Sequence, residues 1–255
     1  MSTNAPETPR AGSAASTSRG SASGVSGPQV PLVVLCVAVV VAAATIVFTG
    51  ASKAQQLLDS GALVRWGIAV FKPVADVAMA ATIGFAALGA FVVPEGSKTA
   101  RVARAGRWAA ISATLWFASL VVVSFLSYGD LAGLPVSSPG YVGQWWSNTW
   151  QIELLRNPAL TALAALVIAL VCWWSATRVT LAWMTGLGFL ALWPSALSGH
   201  AAGSTDHETA VDSLILHIAP VAAWVGGIIA LGVMWPRLGK GAAASVRRFS
   251  AVATW

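Results

Sequence analysis

The chain has 255 residues, of which 56% are apolar and 9% charged, and its mean hydropathy is +0.73. A water-soluble domain of this size could not cover so many apolar side chains with polar surface, so the composition excludes a soluble protein and predicts an integral membrane protein. The net charge of +6 does not indicate nucleic acid as a partner, because the basic residues lie in short clusters at the ends of apolar segments.

The first 29 residues differ in composition from the rest of the chain. Residues 1–29 are rich in Ser, Ala, Gly and Pro and hold few large apolar side chains. They bury too little surface to offset chain entropy, so we expect a disordered cytoplasmic tail. A signal peptide is the alternative, because Arg10 and Arg19 precede an apolar stretch. That stretch covers residues 31–48, which is nearer the length of a membrane span than that of a cleavable signal core.

Six apolar segments reach or approach the roughly 20 residues that a helix needs to cross a bilayer. They are residues 30–49, 67–93, 108–127, 158–174, 180–198 and 210–235. Lipid offers no hydrogen-bond partners to the backbone of an open structure, so each span is expected to be helical. The predicted fold class is therefore all-α, a six-helix transmembrane bundle over residues 30–235.

The distribution of Lys and Arg predicts the orientation of this bundle. Basic residues follow the second, fourth and sixth spans, namely Lys98, Arg101, Arg104, Arg107, Arg178, Arg237, Lys240, Arg247 and Arg248. The connections 128–157 and 199–209 hold one basic residue between them. The positive-inside rule then places both termini in the cytoplasm and predicts a multi-pass protein of the cytoplasmic membrane. Residues 236–255 are expected to form a cytoplasmic basic turn and the start of a further span, so that the bundle is truncated before further helices.

Most of the 13 tryptophans fall where this topology places a headgroup region. Those expected on the outer side are Trp66, Trp145, Trp146, Trp150 and Trp193, and those on the inner side are Trp108, Trp173, Trp174, Trp183 and Trp235. Trp116 and Trp224 lie deeper and are interpreted as helix-packing residues. Tryptophans and leucines recur at near-helical spacing in residues 141–157, which predicts an amphipathic helix on the membrane surface.

Several small residues within the spans have a structural interpretation. Gly226 and Gly227 are predicted to allow close approach of a neighbouring helix. Cys36 and Cys172 lie inside apolar runs without a paired spacing, so we interpret them as small buried apolar residues and expect no disulfide framework.

All three histidines lie in residues 198–217, at the end of the bundle predicted to be outside. His200 is at the end of span five, His207 is in the following loop, and His217 is about 12 Å into span six. Asp76 is at a similar depth in span two, about 13 Å, and Met79 follows it on the same helix face. Ionisable side chains at such depths are costly and are usually paired, functional or both. The structural alternatives are an ion pair between Lys72 and Asp76, and a hydrogen bond between His217 and Ser213.

The residue types in this group suit copper. Imidazole nitrogen favours Cu(II), the methionine thioether favours Cu(I), and a carboxylate can complete either set. The candidate metal ligands are therefore His200, His207, His217, Asp76 and Met79, although the spacing of the histidines matches no standard metal motif. Serines lie nearby, but no nucleophile elbow or oxyanion-hole signature accompanies them, so the chain is not expected to be an enzyme.

Three stretches resemble one protein family. SGHAAG, LHIAPVAAWVGGIIAL and VRRFSAVA look like the membrane domain of the copper-resistance D (CopD-type) family. The resemblance implies copper handling at the cytoplasmic membrane, and His200 and His217 match the recurring histidines of that family more closely than His207 does. The Ser- and Ala-rich start resembles actinobacterial proteins in which this domain is fused to a CtaG-type cytochrome c oxidase assembly domain. A domain of that type or a periplasmic copper chaperone is therefore the implied partner, besides the lipid bilayer and copper ions.

Two other functions remain open on the sequence. His200 and His217 could provide two axial ligands to a haem b, although their different depths disfavour that arrangement. The chain could also be a structural or assembly subunit in which the histidines only form hydrogen bonds.

Overall fold

A computed structural model describes residues 29–49, 60–94, 99–197 and 207–253, and within these ranges the regular structure is entirely helical. Together these elements confirm the all-α fold. In chain order the helices are α1 (Gln29–Thr49), α2 (Ala62–Ala87, continued by a π-helical turn, Leu88–Val92), α3 (Thr99–Ala132), α4 (Tyr141–Thr149), α5 (Glu153–Trp174), α6 (Arg178–Leu190), α7 (Leu192–Leu197), α8 (His207–Leu238) and α9 (Ala242–Ala253).

Four helical segments in the described ranges are long and apolar enough to cross a membrane. They are Ala62–Val92, Thr99–Ala132, Glu153–Trp174 and Leu216–Leu238. They correspond to the predicted spans two, three, four and six. A run of this length and composition is stable as a helix in lipid because all of its backbone bonds are made within the segment.

The predicted fifth span is not one continuous helix. It divides at Ala191 into α6, which has 13 residues, and the short α7. Pro194 has no N–H to donate to the carbonyl of Leu190, so a helix arriving through α6 loses a bond at this point. The Thr161 hydroxyl of α5 donates a hydrogen bond to the carbonyl of Ala191 at 3.2 Å, so this carbonyl has a partner at the break. At 1.5 Å per residue, α6 is about 20 Å long and falls short of a 30 Å hydrocarbon core.

The predicted first span, residues 30–49, lies within helix α1, Gln29–Thr49, whose described residues include the apolar stretch Leu35–Thr45. It lies against α2 and α8. Four of the six predicted spans thus correspond to described helices that are long and apolar enough to cross a membrane.

Helix α2 is the centre of the bundle and packs against α1, α3, α6 and α8. Its buried face is rich in alanine and glycine, which lets neighbouring backbones approach closely. A Cβ atom at Gly84 would overlap the backbone of Gly226 in α8, and one at Gly226 would overlap the carbonyl of Ala80. Gly227 faces α9 instead, where the ring of Phe249 covers it. The prediction that Gly226 and Gly227 allow close helix packing is confirmed.

Polar side chains form hydrogen bonds between α2, with the turn that follows it, and the neighbouring helices α3 and α6. Thr82 donates to the hydroxyl of Ser112 in α3 at 3.1 Å, within the buried core. At the end of the bundle where α2 finishes, the guanidinium of Arg178 donates to the carbonyls of Ala90 at 3.3 Å and Pro94 at 2.9 Å. The guanidinium therefore satisfies carbonyls that the end of a helix leaves without intrahelical partners.

The other end of the bundle, where α3 finishes and α5 begins, carries an aromatic cap and is called the tyrosine end. Three bonds join α4 to α3: the Tyr128 hydroxyl donates to Gln144 Oε1 at 2.8 Å, the Tyr141 hydroxyl to the Phe125 carbonyl at 2.7 Å, and Trp145 Nε1 to Ser124 Oγ at 3.2 Å. Burial raises the pKa of the Tyr141 phenol above its ordinary value. The amphipathic helix predicted over residues 141–157 is shorter than expected, since α4 ends at Thr149 and α5 begins at Glu153.

Two tryptophans and two cysteines were predicted to be packed or buried within the bundle, and the structure agrees for one residue of each type. Trp116 is 1% exposed and Cys172 is buried, as predicted. Trp224 is 57% exposed and Cys36 is exposed, which corrects their interpretation as packing and buried residues. The reason is that an apolar side chain in a membrane helix is stable facing either lipid or protein, so hydropathy does not distinguish the two.

Candidate functional site

A cleft of about 570 Å³ lies between α2, α3, α5, α7 and α8. In the part of the chain that the structure describes, its polar lining consists of Lys72 and Asp76 from α2, Ser127 from α3 and His217 from α8, and we call it the polar cleft. Met79 of α2 and Trp116 of α3 also line the cleft. Lys72, Asp76 and His217 are exposed within it, so their polar groups are open to whatever occupies the cleft.

The crossing of α2 and α8 places Asp76 and His217 at one level. Both helices start at the tyrosine end and run in the same direction, and they meet at Gly84 and Gly226. Asp76 lies eight residues before Gly84, and His217 lies nine residues before Gly226. At 1.5 Å per residue these positions are about 12 and 13.5 Å from the crossing. The backbone geometry therefore agrees with the depth match that the sequence predicts.

Met79 lies on the same side of α2 as Asp76. Residues three apart are neighbours on a helix surface, and the structure places both in the wall of the polar cleft. Met79 is partly buried among apolar side chains of the core. The cleft thus brings together a carboxylate, a thioether and an imidazole, which are three of the five candidate ligands.

The carboxylate of Asp76 lies in the field of the Lys72 charge, but neither it nor the imidazole of His217 is held by a specific contact within the described part of the chain. No hydrogen bond or ion pair holds either group there, and the shortest described ion pair is elsewhere, between Arg156 and Glu153 at 3.2 Å. Lys72 is one helical turn before Asp76 and lines the same cleft, but no ion pair shorter than 4 Å joins the two described side chains. The side chain of Ser213, the alternative partner of His217, lies outside the described residues.

The cleft extends from the tyrosine end toward the middle of the bundle. Leu154, the second residue of α5, and Ser127, near the end of α3, line its outer part. Trp116, Ala80 and Val225 line its deeper part, and each is 16 to 18 residues from the end of its helix at the tyrosine end. An ion or small molecule arriving at the tyrosine end would therefore meet Asp76 and His217 on the way to the indole of Trp116.

The remaining candidate ligands are not placed by the structure. His200 lies outside the described residues, and so does the side chain of His207, the first residue of α8. Among the residues that are described, no group of three or more His, Cys, Asp and Glu side chains is close enough to hold a metal ion. The cleft offers two residues of those types, Asp76 and His217, together with the sulfur of Met79.

Sequence reasoning did not identify Ser127 and treated Trp116 only as a packing residue. One signal was present, because prolines interrupt the hydrogen bonding of two helices that line the cleft, Pro73 in α2 and Pro158 in α5. Prolines within spans are tolerated where neighbouring groups or a cavity satisfy the freed carbonyls. The face of α3 that carries Trp116 and Ser127 has no such signal, since its direction is set by packing alone.

A second groove, of about 490 Å³, lies on the opposite side of the α2–α8 contact. Its wall is almost entirely apolar and includes Phe91, Phe189, Trp224 and Phe249. Its described lining has no charged or imidazole group that could coordinate an ion, so the polar cleft is the candidate site.

Comparison of the chain with protein-family models, curated proteins and solved structures gives no match in any of the three.

Proposed function

We propose that this chain handles copper at the cytoplasmic membrane and that the polar cleft is where it binds the ion. The observation that carries the proposal is that Asp76, Met79 and His217 line the same cleft, with Asp76 and His217 at similar depth and without competing hydrogen bonds among the described residues. Imidazole nitrogen and thioether sulfur together favour copper over the hard cations Mg²⁺ and Ca²⁺, which prefer oxygen ligands.

The proposed copper ligands come from two helices. His217 of α8 provides nitrogen through a neutral imidazole, while Met79 and Asp76 of α2 provide sulfur and oxygen. A carboxylate beside the ion offsets part of its charge, which lowers the cost of removing a cation from water. His200 and His207, in the chain that precedes and opens α8, are proposed to capture copper first and to pass it to the cleft.

The orientation belongs to the same proposal. In the proposed orientation both termini are in the cytoplasm, the tyrosine end faces the extracytoplasmic space, and the cleft opens toward the copper supply. This orientation is supported by the basic residues near the other end of the bundle, among them Arg101, Arg104, Arg107 and Arg237. The ion would then cross or enter the bilayer for uptake or for oxidase assembly, as the resemblance to the CopD-type domain implies, without catalysis by this chain.

Metal analysis of the purified protein tests the proposal. The wild type is loaded with copper, and its affinity is measured by competition with a chelator beside His217→Ala and Asp76→Asn. Loss of an outer-shell partner alone costs about 10- to 100-fold in metal affinity, so loss of a ligand should cost at least about tenfold. Asp130→Asn is the matched control, because Asp130 lies at the tyrosine end and accepts from Ser60 Oγ at 3.4 Å, away from the cleft.

Two results would contradict the proposal. Unchanged copper affinity in both cleft variants would remove the cleft from copper binding. A Soret band in the purified protein, lost in His217→Ala and without stoichiometric copper, would instead support the haem b alternative.

A further inference from the structure

Lys72 is the one positively charged side chain among the described residues that line the polar cleft, and copper binding gives it no role as a ligand. It shares the wall with Asp76, one turn away on α2, and its side chain is exposed in the same space. Cβ atoms four residues apart on a helix are about 6 Å apart, and the lysine stem is long and flexible. The ammonium group can therefore reach the Asp76 carboxylate, or withdraw from it, without movement of the backbone.

The charges of the cleft follow from its lining. Among the described lining residues, Lys72 is positive, Asp76 is negative, and His217 is the remaining titratable group. With a neutral imidazole these residues together carry no net formal charge before an ion enters. A monovalent ion leaves a net charge of one and a divalent ion a net charge of two, in surroundings where charges interact more strongly than in water.

We propose that Lys72 sets the charge selectivity of the cleft, favouring a monovalent soft cation such as Cu⁺ over a divalent cation such as Cu²⁺. The inference rests on the proposed copper function and adds the oxidation state of the ion. The ammonium competes for Asp76 and repels the bound ion. Because Coulomb repulsion is proportional to the charge of the ion, the penalty for a divalent ion is about twice that for a monovalent one in free energy.

The same repulsion helps the ion to leave. Conduction through a membrane protein requires sites that bind strongly enough to admit the ion and weakly enough to release it. When copper departs, the Lys72 ammonium can return to Asp76 and leave the carboxylate with a partner. The lysine thus takes the place of the ion between binding events.

Affinities for Ag⁺, used as a redox-stable substitute for Cu⁺, and for Cu²⁺ test this inference. Both are measured by chelator competition on the full chain in lipid nanodiscs, for the wild type, Lys72→Leu and Lys72→Arg. Leucine is chosen because it removes the charge without adding a metal ligand. In Lys72→Leu we expect Ag⁺ affinity to rise about tenfold and Cu²⁺ affinity about 100-fold, since removing one positive charge relieves twice the repulsion for the divalent ion. Lys72→Arg keeps the charge and should keep the preference for Ag⁺. Lys72→Gln serves as a second neutral variant if Lys72→Leu does not fold.

The outcomes separate this inference from the proposed function. Binding to the wild type that depends on His217, with equal affinity changes for both ions or no change in the neutral variants, overturns the role of Lys72 alone. Reduced affinity in the neutral variants overturns it as well, since the lysine would then support the site. Absence of binding in the wild type and in every variant overturns the copper function itself, and the inference with it.

Discussion

Gly84 of α2 and Gly226 of α8 lie in backbone contact, so close that a Cβ on either residue would overlap the other helix. This contact fixes the position of α8 along α2. It therefore determines that Asp76 and His217, eight and nine residues before the crossing, lie at one level in the polar cleft.

The crossing predicts an effect of a single methyl group on the cleft. Gly226→Ala must separate α2 from α8, because the added carbon would meet the carbonyl of Ala80. Overpacking of this kind costs about 1–3 kcal/mol in the free energy of unfolding. Copper affinity should fall with it, because Asp76 and His217 move apart. Both are measured on purified protein, by denaturant unfolding and by chelator competition.

Gly186→Ala is the control for this prediction. Gly186 is in helix α6, and a Cβ there would meet nothing within 4 Å, so the free energy of unfolding should stay the same or rise slightly. Equal stability and equal copper affinity in the two alanine variants would contradict the importance of the crossing.

Arg178 is predicted to stabilise the end of α2. In Arg178→Gln the carbonyls of Ala90 and Pro94 lose their charged donor, and hydrogen bonds to charged groups are worth about 1.5–3 kcal/mol. We expect a loss of about that size in the free energy of unfolding. Arg237→Gln removes an exposed arginine of α8 and should change stability by less than about 0.5 kcal/mol. Similar losses in both variants would mean that net charge, rather than the carbonyl contacts, is responsible.

Tyr141 predicts a loss of stability at alkaline pH. Burial raises the pKa of its phenol above the ordinary value of 10.0, so the folded chain holds this proton more tightly than the unfolded chain. The resulting stability is complete below about pH 10 and is lost as the pH rises through the folded pKa. Thermal unfolding of the wild type should therefore occur at lower temperatures as the pH rises above 10.

Tyr141→Phe separates this titration from the packing of the cap. The variant keeps an aromatic ring against Phe125, whose ring centroid is 4.8 Å from that of Tyr141, but it loses the bond to the Phe125 carbonyl. Near neutral pH it should be less stable by about 0.5–1.5 kcal/mol. Above pH 10 its stability should decline less steeply than that of the wild type, and an equal decline would place the titrating group elsewhere.

The sequence was sufficient for the parts of the fold that lipid dictates. Long apolar runs predicted α2, α3, α5 and α8, because a spanning helix needs a minimum apolar length. A hydropathy average over the fifth span does not show its division at Ala191, whereas Pro194, which removes a backbone donor, indicates irregular backbone near the outer end of that span.

The candidate site was predictable only in part. Asp76 and His217 were identified because a polar side chain inside an apolar span is costly, and their depths follow from counting residues. The contribution of α3, through Trp116 and Ser127, depends on how that helix is rotated against α2 and α5. The rotation of α3 about its axis is set by packing between small residues. Such packing has no charge pattern or motif in the sequence from which it could be predicted.

X-ray absorption at the copper edge tests the central claim, that copper is bound in the polar cleft, most directly. The protein is loaded with Cu⁺ after Cys36 and Cys172 have been replaced by alanine, so that sulfur near the metal must come from methionine. We expect nitrogen and sulfur neighbours in the parent and loss of the sulfur neighbour in Met79→Leu. Met234→Leu, which replaces a methionine buried outside the cleft, should retain it. A sulfur neighbour that persists in Met79→Leu, or that is absent from the parent, would contradict a copper site on this wall of the cleft.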